Sequence, residues 1–312
     1  MAYRLEVSES PEDALRRIAD EQTARAIASL SARTPIEIEN GVHDARKRCK
    51  KLRALIRLVR PAMEDVYERA NRRFRDAARC VSEHRDAHAR RDVFEKLVEA
   101  HPELTPEHGL REARAWLTAD ATRHTRALVD DPSPMLRATS LIRDGLLDLA
   151  DASIDDSFGP IGAGVEKTYD RARARLEDAE TARTTETFHE LRKRVKYSRY
   201  HVRLLHRAAP SVLEPRRESL HELSDALGDA HDLAELVVTI RRAPITSDEK
   251  EAITTLADGM RVELERRSLR LARRLFAESG EAYVARLERY YETWRAGGAE
   301  LETGGLEDIT AS

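Results

Sequence analysis

Two runs of basic side chains hold the chemistry available to this chain. His43, Arg46, Lys47, Lys50, Arg53 and Arg57 lie in HDARKRCKKLRALIRLVR (43–60), and His189, Arg192, Lys193, Lys196, Arg199 and Arg203 lie in HELRKRVKYSRYHVRLLH (189–206). The runs pair without a gap at an offset of 146 residues, and Leu58 with Leu204 is the one identity in the window that is neither basic nor histidine. A repeat that keeps its charges better than its core points to a repeated binding surface. Arginine forks, lysine point charges and a histidine donor suit phosphate oxygens.

Both runs read as helices. At about 100° per residue, Arg46, Lys47, Lys50 and Arg57 fall within about 60° of His43, while Ala45, Cys49, Leu52, Ile56 and Val59 fall opposite. The second run places His189, Arg192, Lys193, Lys196 and Arg203 on one face and Leu191, Val195, Val202 and Leu205 on the other. Arg48 and Arg194 sit at the edge of the apolar side, where structural ion pairs are expected. A solvated helix face normally mixes signs, because like charges four residues apart repel. Here only Asp44 or Glu190 interrupts the stripe, so an anion surface is the favoured reading and a salt-bridge lattice the alternative. A single-strand binder needs aromatic platforms, and the stripes offer only Tyr197 and Tyr200. A duplex reader needs Asn or Gln aimed at base edges, and none is present.

The elements that must position these residues are all helical. Charged residues make up 36% of the 312 positions and aromatics 5%, a composition that loses little rotamer freedom in helices. Helices are expected from Ser10-Pro11 to about 32, from Thr34-Pro35 with a capping box to Pro61, and over about 62–82, 84–100, 107–129 and 134–151. In the second half they are expected over about 165–181, 185–208, 212–227, 229–242, 247–277 and 280–296. Residues 1–10 read as a short tail. EHRD (83–86) and DAHD (229–232) keep the 146-residue offset, so an internal duplication is the simplest account. The expected architecture is all-α: two antiparallel bundles of about four core helices, related by a pseudo-two-fold. The N-terminal half spans 1–154, a glycine-rich linker 155–164, the C-terminal half 165–298 and a flexible tail 299–312.

Other signals are weaker. Net charge is −3, so charge must be segregated rather than abundant for any electrostatic role. No apolar run suits a membrane span and no export signal is evident, which gives a cytoplasmic reading. Cys49 and Cys80 read as reduced thiols. Glu37-Ile38-Glu39 lacks the lysine of an E-x-E-x-K motif and reads as helix lead-in. Gly159 to Thr168 lacks the spacing and strand of a phosphate loop. His84 and His88 could place two metal ligands on one face, but with no third ligand they read as a chance surface pair. Asp86 and Asp232 read as helix-start or ion-pair groups. No catalytic set, metal site or cofactor site is expected.

The paired H-[DE]-x-R-K-R-x-K…R helices, with an acidic-His/Arg-Asp element about 40 residues after each, resemble the CHAD domain, the conserved histidine α-helical domain, over approximately 10–298. The resemblance implies two four-helix bundles that bind inorganic polyphosphate in a basic groove or pore, without catalysis, and associate with polyphosphate granules. It assigns binding to His43, Arg46, Lys47, Lys50, Arg53, Arg57, His189, Arg192, Lys193, Lys196, Arg199 and Arg203. Arg72, Arg73 and Arg79, together with Tyr197, are candidates to extend that surface. Glu218, Ser219 and Asp225 occupy the positions matching those three arginines, so asymmetry is expected there. Two alternatives stay open: a helical scaffold for an acidic protein partner, and binding of another polyanion such as RNA. A phosphohydrolase has no supporting feature.

Overall fold

The computed structural model describes residues 3–102 and 109–307, with side chains in the last helix as far as residue 298. All regular structure among the described residues is helical. The helices are α1 (Pro11–Leu30), α2 (Pro35–Leu58), α3 (Glu64–Cys80), α4 (Ser82–Ala100), α5 (Leu110–Asp130), α6 (Ser133–Asp148), α7 (Gly159–Ala182), α8 (Thr185–Leu205), α9 (Pro210–Ile240), α10 (Ser247–Leu275) and α11 (Gly280–Glu307).

Starts follow local chemistry. Ser10 caps α1 by accepting from the Asp13 amide, and Thr34 with Glu37 forms the capping box of α2. Thr184 caps α8 in the same way, with Thr187 in place of the usual Glu or Gln. Such caps satisfy amides that have no partner inside the helix.

Packing divides the chain around two apolar cores. In the larger, α1 packs on α2 and α6, α3 on α6, α7 on α8 and α11, and α8 on α9, while α2 touches α7 and α8. The smaller core joins α4 and α5 to the distal parts of α9 and α10 through Val93, Phe94, Leu97, Leu117, Leu233, Leu236, Ile240 and Ile253. Both α4 and α9 leave the large core, at Val81 and Leu227, pass through a charged stretch, and then enter the small one.

Four expectations are corrected. Gly159–Gly164, expected as linker, forms the first turns of α7. Gly164 lies so close to α2 that a Cβ there would overlap the Leu58 carbonyl. The expected break at Gly228 is absent and α9 runs unbroken for 31 residues, whereas α3 and α4 part at Val81. The N-terminal segment is no loose tail, because Tyr3 and Leu5 are buried and the Leu5 amide donates to the Leu204 carbonyl at 3.0 Å. Residues 299–307 continue α11, and 308–312 lie outside the described residues.

Candidate functional site

α2 and α8 pack together with their apolar faces inward. Ala45, Cys49, Leu52, Ile56, Leu191, Val195, Val202 and Leu205 are all buried, which fixes the rotation of each helix and turns its cationic edge outward. The two edges meet. Three adjoining cavities of about 440, 390 and 460 Å³ share Arg46, Lys50 and Arg192. The first adds Arg53, Arg75, Arg79, His189, Lys193, Lys196 and Tyr197. The second adds His43, Lys47, Arg85, Lys96, Lys196 and Arg199, with Asp225, Asp229 and Asp232 on the wall formed by α9. The third is closed by Asp86 and Arg90 of α4 and by His231 and Glu235 of α9.

Carboxylates hold only part of this charge. Arg46 donates to the Ala78 carbonyl at 3.1 Å and reaches Asp86 at 3.4 Å, and Arg192 stands 4.0 Å from Asp232. Arg199 lies 3.4 Å from Asp225, and Lys96 is 2.8 Å from Asp229. Arg53 donates to the Asn71 side chain at 3.0 Å, and Lys193 pairs with Glu190. The Nε atoms of Arg46 and Arg192 are buried without a partner. Lys50 keeps contact with solvent, but protein crowds it on most sides. That desolvation, with Arg46, Arg192 and Arg85, brings its pKa down to about 8. Burial, Arg192 and Lys50 hold Lys196 well below the usual lysine range. Cations that depress one another in a concave site would be relieved by a bound anion.

The two histidines sit differently. Arg85 Nε donates to His43 Nδ1 at 3.0 Å, which leaves the ring proton on Nε2, free to donate. His189 lies against His231 with ring centres 4.5 Å apart and the rings tilted by 40°. Desolvation first, then neighbouring cations, lowers the pKa of both His43 and His189.

Of the twelve stripe residues, ten line these cavities and two do not. Arg57 is buried, with its guanidinium 4.2 Å from the Tyr197 ring centre and 5.4 Å from that of Tyr67. Arg203 points to the Tyr3 ring, 6.0 Å away. Tyr197 and Arg79 line the first of these cavities. Arg72 is exposed outside it, and Arg73 pairs with Asp144 and Asp148 at 3.4 and 3.6 Å. Helical rotation gives direction from the axis, but the tyrosines that intercept Arg57 and Arg203 come from elsewhere in the fold or chain.

The reading of the sequence missed Arg75, Arg85, Arg90 and Lys96. A signal existed for two of them: Arg85 and Lys96, eleven residues apart, share one face of α4. His84 and His88 are not a surface pair. Both are buried, their Nε2 atoms 3.1 and 2.9 Å from the Thr125 hydroxyl, with His88 Nδ1 2.9 Å from Glu39. Arg48 bonds Asp44 and Gln22, each at 3.0 Å, and Arg194 lies 3.6 Å from Glu190. Cys49 and Cys80 are free thiols. Among the described residues no group of three or more His, Cys, Asp or Glu could hold a metal, and no helix is long and apolar enough to cross a membrane. A larger, open depression of about 890 Å³ follows α5. Its arginines are neutralised locally, for example Arg114 by Glu95 at 2.7 Å and Arg111 by Glu112 at 3.3 Å.

The family model of the CHAD domain matches residues 13–241. Among solved structures the chain is similar to PptA from Streptomyces chartreusis, at 16% identity and a TM-score of 0.59, covering 85% of this chain and 99% of that one. It is also similar to the CHAD domain from the plant Ricinus communis, at 17% identity and a TM-score of 0.49, covering 89% and 95% of the two chains. No curated protein matches the chain.

Proposed function

Because the chain belongs to the CHAD domain family, whose members bind polyphosphate, we propose that it binds inorganic polyphosphate in the groove between α2 and α8. One observation carries this reading: Arg46, Lys50 and Arg192, from both basic helices, line the same three cavities. Two arginine Nε atoms there lack partners, so an incoming phosphoryl oxygen satisfies donors that the free protein leaves open. The reading includes binding without turnover, in keeping with a family that is generally non-catalytic. It also includes duplication of one ancestral half, a cytoplasmic location and association with polyphosphate granules.

Single-stranded RNA fits less well. The groove offers only two tyrosines, and both already have partners, Tyr197 in Arg57 at 4.2 Å and Tyr200 in a T-shaped contact with Tyr3 with ring centres 5.8 Å apart, which is a poor stacking platform for successive bases. Titration with polyphosphates of several lengths, beside RNA and orthophosphate at two salt concentrations, tests the proposal. Affinity should climb with chain length, since one polymer engages both stripes. It should fall with salt by about 0.7 log units per log unit for each neutralised phosphate, by analogy with single-stranded nucleic acid. Equal affinity for RNA and long polyphosphate removes the specificity claim. A length-independent interaction with an acidic protein favours the scaffold alternative.

A further inference from the structure

We infer a second anion site, outside the groove and behind Tyr197, where Arg57, Arg60, Arg171 and Arg194 converge to take one free phosphate or pyrophosphate group or the end of a longer phosphate chain. It stands on observations separate from those that carry the groove. The Arg57 guanidinium lies against Tyr197 and Tyr67, and that of Arg60 is 4.5 Å from the Tyr67 ring centre. Arg57 is only 9% exposed, its Nε is buried without a partner, and it has no hydrogen bond or ion pair among the described residues. A buried, unpaired cation is costly. The two rings and the carbonyl end of α2 offset part of that cost, but they leave the donor edge of the guanidinium unused.

The neighbours add charge faster than they remove it. Arg60 is held by Glu64, and Arg194 lies 3.6 Å from Glu190, which also serves Lys193. Arg171 has no carboxylate in salt-bridge reach among the described residues, and Arg194 Nε is buried without a partner. Glu64, with Glu68 farther off, and Glu190, which is shared with Lys193, are the carboxylates acting on these four guanidiniums, so positive charge stays in excess there. Helix α7, which carries Arg171, packs on α2, on α8 and on the turn Arg60–Ala62; in keeping with that placement, burial, Arg60 and Arg57 lower the Arg171 pKa, and burial and Arg57 lower that of Arg194. The positions 146 residues away lack this excess. Arg48, matching Arg194, is neutralised by Asp44 beside Gln22, and Arg203, matching Arg57, is exposed.

The test is pyrophosphate binding measured by calorimetry on the full chain carrying Lys50→Ala with Lys196→Ala, which weakens the groove. One equivalent should still bind, and adding Arg171→Ala should weaken it at least ten-fold. Arg171 is half-exposed, so this change spares the core; a matching thermal midpoint checks that the fold is kept. No binding to the groove variant, or unchanged binding after Arg171→Ala, overturns the site whatever happens with long chains. In the parent protein, displacement of pyrophosphate by long-chain polyphosphate identifies a chain-end site. Retention identifies a site for the free anion, and both outcomes support the assignment. Loss of long-chain affinity in Lys50→Ala with Lys196→Ala, with this equivalent kept, separates the two sites.

Discussion

Lys50 is the residue at which stability and binding pull in opposite directions. Its pKa in the folded chain is about 8 against the usual 10.5, and Lys51, buried beneath Tyr3, is shifted to about 8 as well. Between those values the unfolded chain holds more protons than the folded one, so folding stability contributed by these groups rises with pH from about 8 to 10.5. A bound polyanion favours the ammonium form of Lys50, so affinity should fall across the same window. Urea unfolding and polyphosphate titration at pH 7.5 and 9.5 check both signs; affinity that rises with pH contradicts the assignment. His43 and His189 act lower on the scale. Their pKa values lie below 6.5 in the free protein, a polyanion raises them, and binding should tighten as pH falls below 6.5. Arg46→Ala combined with Arg192→Ala removes two charge-assisted contacts of about 1.5–3 kcal/mol each. Long-chain affinity should then drop by at least about 100-fold, and unchanged affinity would sink the residue assignment. The outward face of Arg46, Lys50, Arg192 and Lys196 was legible because apolar residues opposite them anchor both helices. Arg57 and Arg203 were not, because aromatic rings that helical spacing cannot locate capture them.

At the scale of elements, two glycines predict opposite outcomes from one substitution. Gly164 lets α7 touch the end of α2, where a Cβ meets the Leu58 backbone, whereas nothing lies within 4 Å of a Cβ at Gly259 in α10. Gly164→Ala should destabilise the fold by at least about 1 kcal/mol, since overpacking against backbone outweighs helix propensity. Gly259→Ala should stabilise it by about 0.5–1 kcal/mol. Denaturant midpoints measure both, and a stabilising Gly164→Ala would refute the close approach. The glycines of 155–164 suggested a linker because sequence does not distinguish a glycine chosen for freedom from one chosen for proximity. Gly228 misled for a related reason: a Cβ there would meet only the Arg192 guanidinium, at 3.8 Å, so it neither breaks α9 nor marks a turn. The caps at Ser10 and Thr34 were legible because their partners lie within three residues.

Across the whole molecule, the groove residues of α4 and α9 lie between the large core and the small one. The all-helical class could be read from a composition rich in helix formers and poor in aromatics. The two-core partition could not, because the apolar residues of α4 and α5 give no sign of which helices complete their cluster. That partition has a dynamic consequence. The small bundle can open while the large core stays folded, since local opening follows the weakest cooperative unit. Arginines of α2 and α8 face carboxylates of α4 and α9 across the charged layer, so a polymer lying there touches both units at once. Amides at 93–97 and 233–240 should exchange with solvent before those of α2 and α8, and should slow when long polyphosphate is added. Uniform exchange, or protection confined to α2 and α8, would contradict this. Occupancy would then be written into the rigidity of a bundle whose apolar core never meets the ligand, and a protein that recognises the closed small bundle could sense polyphosphate without touching it.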